Sequence, residues 1–319
     1  MRRTDPTYPR PGQSRLGRAI VAVAMTGLVL VGGACSSGSS PNSGKKSVVV
    51  TYTILGSVVR DLVGDAADVT VLMPNGADPH EWSPSAKDIE KLTKADLLVE
   101  NGLNLEGGMG KAFDQAQQAG VRRFIAADHI AVRRVGQGEG IGTADPDQAQ
   151  GASDPHLWMD PLTMKDVVSA LATELKDGLG IDVSARATDL ESRLTQLNEQ
   201  LTATLSAVPQ GQRQLVTGHE SLGYFAARYG FKLIGAIVPS LTTQAETSSS
   251  DLATLEAKIR SAGVKAIFTE LGTSSAVADA VGKDTGARVV ELTTHALPSD
   301  GSYFTFLTDI ANLIASKLK

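Results

Sequence analysis

Two series of alternating strands and helices, separated by a stretch without glycine or proline, constrain this chain most. Short β-branched runs at 47–55, 69–73, 97–100 and 121–126 alternate with helix-patterned segments at 57–64, 85–94 and 105–119. The second series has strands at 214–217, 232–237, 266–270 and 288–292, with helices at 220–229, 249–262, 274–283 and 303–318. Alternation of this kind builds parallel sheets covered on both faces, an α/β fold. Residues 182–208 lie between the two series. Leu190, Leu194, Leu197, Leu201 and Leu205 recur there in steps of three and four, among Glu191, Arg193, Gln196, Glu199 and Gln200. The spacing predicts one amphipathic helix of about 25 residues, about 38 Å long. Its stripe spans too few heptads for a coiled-coil seam.

The chain has 5 histidines and 1 cysteine. Three of the histidines, His80, His156 and His219, fall in turn-like contexts after predicted strands: ADPHEWSPS, SDPHLWMDP and VTGHESLGYFAARYG. In open α/β sheets, ligands bind outside the carboxyl ends of the strands. A lone histidine there is more often a capping residue than a ligand. Three together, two of them in DPH turns, point to one metal site. Neutral imidazole suits zinc, and three histidines leave a position for a carboxylate or water. A ligating imidazole usually gives its other N–H to a carboxylate or carbonyl. Asp78, Asp154 and Glu220 are the sequence neighbours placed for that task. His129 follows Asp128 on a different path and reads as a surface or capping residue.

The N-terminus is of another kind. Arg2, Arg3, Arg10, Arg15 and Arg18 precede an uncharged apolar run from Ala19 to Ala34. That order makes an export signal, and the run is short for a spanning helix of about 20 residues. Cys35 follows Val31-Gly32-Gly33-Ala34 and resembles a bacterial lipoprotein cleavage site, although Gly32 stands where leucine is usual. The alternative is a plain secreted protein with a stray cysteine. Residues 36–46, SSGSSPNSGKK, form a flexible tether. Losing residues 1–34 removes five arginines and Asp5, which takes the net charge from −5 to −9. An acidic body argues against nucleic acid and mildly attracts cations. Residues 136–154 form a Gly-rich loop without GxGxxG, so no dinucleotide site is expected. A role for it in gathering cations would rest on Asp145, Asp147 and Asp154.

From about Val48 to Leu318 the chain resembles the substrate-binding proteins of ABC importers for zinc or manganese. The motifs that carry the resemblance are DPHEWSPSAKDIEKLTKADLLVENGLNLE at 78–106, DPHLWMDP at 154–161, TGHESLGYFAARYG at 217–230, AETSSSDLATLEAKIRSAGVKAIFTE at 245–270, and a last helix opening SYFTFLTDI. The resemblance implies two parallel-sheet α/β lobes joined by one long rigid helix, with a metal cleft between them. The implied divisions are an export signal at 1–34, a tether at 35–46, a first lobe at 47–181, the connecting helix at 182–208 and a second lobe at 209–319. It further implies lipidation of Cys35, a place outside the cytoplasmic membrane, and a permease with its ATPase as partners. The protein is expected to be a monomer and not an enzyme. Carried over by motif, His80 and His156 come from the first lobe and His219 from the second.

The fourth ligand departs from the family pattern. An aspartate commonly follows the last strand; here the stretch reads VVELTTHALPSDGSY, and Thr294 takes that position. His295, a water or Glu270 then completes the site, ranked in that order. Nitrogen donors favour zinc, whereas an added carboxylate favours manganese. Zinc-importing members often carry a histidine-rich loop before the second histidine motif, and the loop here has no histidine. Zinc is the first expectation, manganese the second. A secreted zinc hydrolase is a competing class, since such a site activates water. Neither His80-Glu81 nor His219-Glu220 extends to HExxH, however. Family members have also been called adhesins, but no residue here argues for that role.

Overall fold

The computed structural model describes residues 44–137, 139 and 150–319. The export signal, Cys35, most of the tether, Asp145 and Asp147 lie outside the described residues.

The first sheet contains β1 (Lys46–Val50), β2 (Ala67–Val71), β3 (Leu97–Glu100) and β4 (Arg122–Ile125), all parallel, in the order β2-β1-β3-β4. Val48, Val49 and Val50 are buried, as befits a strand covered on both faces. Helices α1 (Thr53–Val63), α2 (Ala86–Thr93) and α3 (Gly110–Gln118) connect these strands. A capping box between Ser85 and Asp88 opens α2.

Two helices then run in succession, α4 (Pro161–Leu179) and α5 (Ser184–Ser206), packed along one another. The strand and helix expectations leave 161–179 unassigned, so α4 is an addition. Its start is nevertheless written in the sequence. Asp160 accepts the Leu162 N–H as N-cap, Pro161 occupies the first turn, and Gly180 ends the helix with a left-handed φ of 72°. Helix α5 is the long helix expected at 182–208, trimmed by two residues at each end. It buries Leu190, Leu194, Leu197, Leu201 and Leu205.

The second sheet repeats the plan with β5 (Gln214–Thr217), β6 (Lys232–Ala236), β7 (Ala266–Thr269) and β8 (Arg288–Glu291), again parallel, in the order β6-β5-β7-β8. Its helices are α6 (Gly223–Tyr229), α7 (Ser249–Ala262), α8 (Ser275–Thr285) and α9 (Tyr303–Leu318). Helix α6 starts four residues after His219, so this histidine sits in an irregular turn rather than opening a helix.

The chain therefore forms two α/β lobes with a long helix between them. Helix α5 packs on α1 of the first lobe and on α9, the last helix of the chain. One apolar cluster runs from Val49 and Leu98 through Leu171 and Leu194 to Phe225, Phe268 and Ile310. A smaller cluster, including Ile234, Ile259 and Ile267, covers the other face of the second sheet. Both strand orders reverse direction beside the first strand, between β1 and β3 and between β5 and β7. Ligands collect outside the carboxyl ends at such points.

Polar contacts close the space between the lobes. Arg228 on α6 donates to Asp160 at 2.7 Å. Trp158 Nε1 donates to the Thr294 carbonyl at 3.2 Å, and the Tyr303 hydroxyl donates to the Trp158 carbonyl at 2.8 Å. Ser57 Oγ donates to the Gly301 carbonyl and accepts from the Tyr303 N–H.

Candidate metal centre

Four histidines meet where the strand ends of the two lobes face each other. One nitrogen from each of His80, His156, His219 and His295 lies within 4.8 Å of the other three. All four side chains are buried, with exposures of 7%, 0%, 1% and 5% respectively. Nitrogens about 2.0–2.1 Å from a tetrahedral zinc stand about 3.3 Å from one another. His156 Nε2 and His219 Nε2 are already 3.1 Å apart.

Each ligand candidate is held by its own turn. His80 lies in the loop after β2, where Asp78 Oδ1 accepts the His80 N–H at 2.9 Å. Asp78 Oδ2 accepts from Thr243 Oγ1 at 2.6 Å, which ties this turn to the second lobe. Gly107 and Gly108 press against the same turn: a Cβ at Gly108 would come 2.3 Å from the Trp82 carbonyl oxygen. His156 sits just ahead of α4. Asp154 accepts the His156 N–H at 3.0 Å and lies 2.9 Å from His156 Nδ1. That contact places the Nδ1 proton toward Asp154 and leaves Nε2 free to ligate. Asn101 Nδ2 supports the turn through the Pro155 carbonyl at 2.8 Å.

The second lobe supplies the other pair. His219 follows β5, and its N–H donates to Glu270 Oε1 at 3.1 Å. His219 Nδ1 is 3.1 Å from the same oxygen, although the angle falls short of a good hydrogen bond. His295 follows β8, with Nδ1 2.8 Å from Thr294 Oγ1 and Nε2 without a partner among the described residues. The His219 and His295 rings stack at 5.4 Å.

The electrostatics keep most of the cluster neutral. Burial pushes His80 far below its ordinary range, and the three neighbouring imidazoles add to the effect. Burial likewise lowers His295 to about 3 and lowers His156, where Asp154 pulls the other way. His219 is the exception. Burial opposes its charge, but Glu270 outweighs burial and raises it. For Glu270 itself, burial favours the acid form. The His219 charge, the His295 ring and the Thr294 hydroxyl overcome that and hold the carboxyl at about 2.

The structure sorts the remaining candidates. Asp154 stands behind His156, as expected, and so contacts the cluster rather than gathering cations at the surface: it is fully buried and also accepts from Arg133 at 3.1 Å. Glu220 does not back a histidine. It is buried, its Oε1 has no partner among the described residues, and burial raises it to about 7. Glu270 takes that supporting place for His219, and it also accepts from Ser221 Oγ and Thr294 Oγ1. Thr294 is a hydrogen-bonding neighbour of His295. His129 is exposed and stacks on Phe124 at 4.5 Å, away from the cluster. Arg133 and Glu106 are not among the sequence candidates. Glu106 is buried and accepts from Thr51 Oγ1 and the Asn101 N–H, bracing the loop beneath His156. A cavity of about 680 Å³ opens onto His80 between Leu103, Asn104, Arg134, Ser153 and Thr242.

Residues 48–317 match the family described as zinc-uptake complex component A, periplasmic. The chain belongs to this family. Membership places it among the extracytoplasmic metal-binding, substrate-binding components of ABC importers. One relative is the metal ABC transporter substrate-binding lipoprotein FimA of Streptococcus parasanguinis, 28% identical over 86% of this chain and 90% of its own length. Another is the manganese ABC transporter substrate-binding lipoprotein PsaA of Streptococcus anginosus, 26% identical over 89% of this chain and 94% of its own. The zinc-binding lipoprotein AdcA of Streptococcus pneumoniae is 27% identical over 85% of this chain and 53% of its own. Among solved structures, the periplasmic zinc binding protein TroA of Treponema pallidum superposes with a TM-score of 0.74 at 26% identity, covering 86% of this chain and 99% of its own.

Proposed function

We propose that this protein captures zinc outside the cytoplasmic membrane, between His80, His156, His219 and His295, and hands it to an ABC permease driven by its ATPase. One observation carries the reading: four imidazole nitrogens converge while the nearby carboxylates stand behind them. A set of neutral nitrogens suits zinc, whereas manganese prefers hard oxygen donors. Manganese is the second reading, since a relative is named for that metal. It requires a carboxylate in the donor set. Glu270 is the nearest candidate, but its oxygens are engaged by Ser221, Thr294 and the His219 N–H.

Processing before Cys35 and lipidation of its thiol tether the protein to the outer face of the membrane through 36–46. The protein then works as a monomer, with lobes at 47–181 and 209–319 and the connecting helix at 182–208. Cargo is bound and released unchanged; no reaction is assigned to the site.

The test is metal content. Residues 36–319, expressed without a histidine tag and purified in ordinary buffer, should carry close to one equivalent of zinc by elemental mass spectrometry. Zinc should also displace manganese in competition. Manganese as the main metal would shift the reading to the second cargo. Failure to take up either metal after chelation and reloading would remove the transport function.

A further inference from the structure

We infer that Thr294 fixes the tautomer of His295 and thereby makes that imidazole the fourth metal ligand. This rests on the four-histidine reading above and deepens it. The Thr294 side chain is buried between two groups, Glu270 Oε2 on one side and His295 Nδ1, 2.8 Å away, on the other. A hydroxyl has one proton to donate and two lone pairs to accept with. Glu270 is surrounded by donors: the Ser221 hydroxyl, the His219 N–H and the Thr294 hydroxyl. With donors on every side, this carboxylate acts as the acceptor toward all three.

The protons available to these groups fix their arrangement. The Thr294 proton goes to Glu270. Its oxygen can then only accept from His295, so Nδ1 of His295 carries the ring proton. Nε2 is left as a bare lone pair, and Nε2 is the buried nitrogen of His295 without a partner among the described residues. The opposite tautomer would leave Nδ1 facing an oxygen with no proton to give. It would also aim an N–H at the other three imidazoles. Thr294 is fixed from behind as well, because its carbonyl accepts from Trp158 Nε1 of the first lobe. Glu270 thus serves both ligands of the second lobe, His219 directly and His295 through one hydroxyl. Thr294 stands where the family pattern places an aspartate. In this chain the residue passes the ligand role to its neighbour rather than ligating.

Chelator competition on the full mature chain tests this, with zinc as the probe, using wild type, Thr294→Val, Thr294→Ser, His295→Ala and the Thr294→Val/His295→Ala pair. Outer partners of ligating histidines typically contribute about 10–100-fold in metal affinity. Thr294→Val should lose affinity in that range, and Thr294→Ser should keep wild-type affinity. The double variant should bind no more weakly than His295→Ala alone. With cobalt, Thr294→Val should lose the intense visible bands of a four-nitrogen tetrahedral site, and Thr294→Ser should keep them. If Thr294→Val does not fold, Thr294→Ala takes its place with the same expectations. Wild-type affinity in the hydroxyl-free variant would overturn the relay and leave the metal site standing. So would a further loss in the double variant equal to the loss in the single one, since Thr294 would then act without His295. Wild type that binds no zinc would overturn the four-histidine reading beneath it.

Discussion

Asn75 and Leu297 hold each other by two hydrogen bonds across the cleft. The Leu297 N–H donates to Asn75 Oδ1 at 2.8 Å, and Asn75 Nδ2 donates to the Leu297 carbonyl at 2.9 Å. Asn75 belongs to the turn that leads to His80, and Leu297 to the turn that leaves His295. The pair therefore latches two histidine-bearing turns from opposite lobes. Each bond contributes about 0.5–1.5 kcal/mol net. Asn75→Ala is expected to destabilise the protein by about 1–3 kcal/mol and to speed zinc dissociation. Stopped-flow release into excess chelator measures the rate; an unchanged rate would show that the latch does not restrain the ligands.

Asp154 orients His156 from fully buried positions on both sides. Asp154→Asn keeps the shape but offers an amide that can present an N–H to Nδ1. A partner of that kind behind a ligating imidazole contributes about 10–100-fold to affinity. Zinc affinity should drop by that order, with the fold retained in far-UV circular dichroism. Retention of full affinity would mean that the ring is held by packing alone.

Acid should act on stability and cargo in the same direction. His80, His156 and His295 are lowered in the fold, from an ordinary value of 6.5. Below that value the unfolded chain takes up protons that the folded chain refuses, so stability falls as pH drops from 6.5 toward the His295 value of about 3. Glu270, lowered from 4.5 to about 2, adds a second loss across that lower window. His219 runs the other way: being raised, it contributes stability below 6.5 that fades as pH climbs through its folded value. Zinc must displace the His219 proton, so affinity should keep rising with pH above 6.5, the ordinary value. Calorimetry in buffers of different ionisation enthalpy near neutral pH should register proton release on zinc binding. A buffer-independent heat would contradict this.

Leu194 on α5 is fully buried within the cluster that runs from one lobe to the other. Leu194→Ala should cost about 2–5 kcal/mol. Because the cluster is continuous, denaturation should remain a single transition rather than split into two lobes. Two separated transitions would show that the lobes are energetically independent.

The parts of the fold governed by local pattern were legible in the chain. Strands β3 and β5 and helices α7 and α9 fall at the expected residues, since each combines a clear period with a Ser cap or a turn at its edge. Helix α4 lies outside those expectations, although Asp160-Pro161, Gly180 and the buried Met164, Val167, Val168, Leu171 and Leu175 carry its signal. The supporting carboxylates were only half legible. Asp154 is two residues from its histidine and reaches it within one turn. His219 is backed by Glu270, 51 residues away on a neighbouring strand end, and not by the adjacent Glu220. Sequence adjacency says nothing about side-chain direction in an irregular turn. For the same reason the pairing of Thr294 with Glu270 emerges only when β7 and β8 lie side by side.

On the proposed reading, a zinc ion is held by four imidazole nitrogens. X-ray absorption at the zinc edge of the loaded protein tests it most directly. Four nitrogen neighbours at about 2.0–2.1 Å are expected, with outer-shell scattering from four imidazole rings, and one ring fewer in His295→Ala. A shell of mixed oxygen and nitrogen, or a count unchanged by His295→Ala, would contradict it.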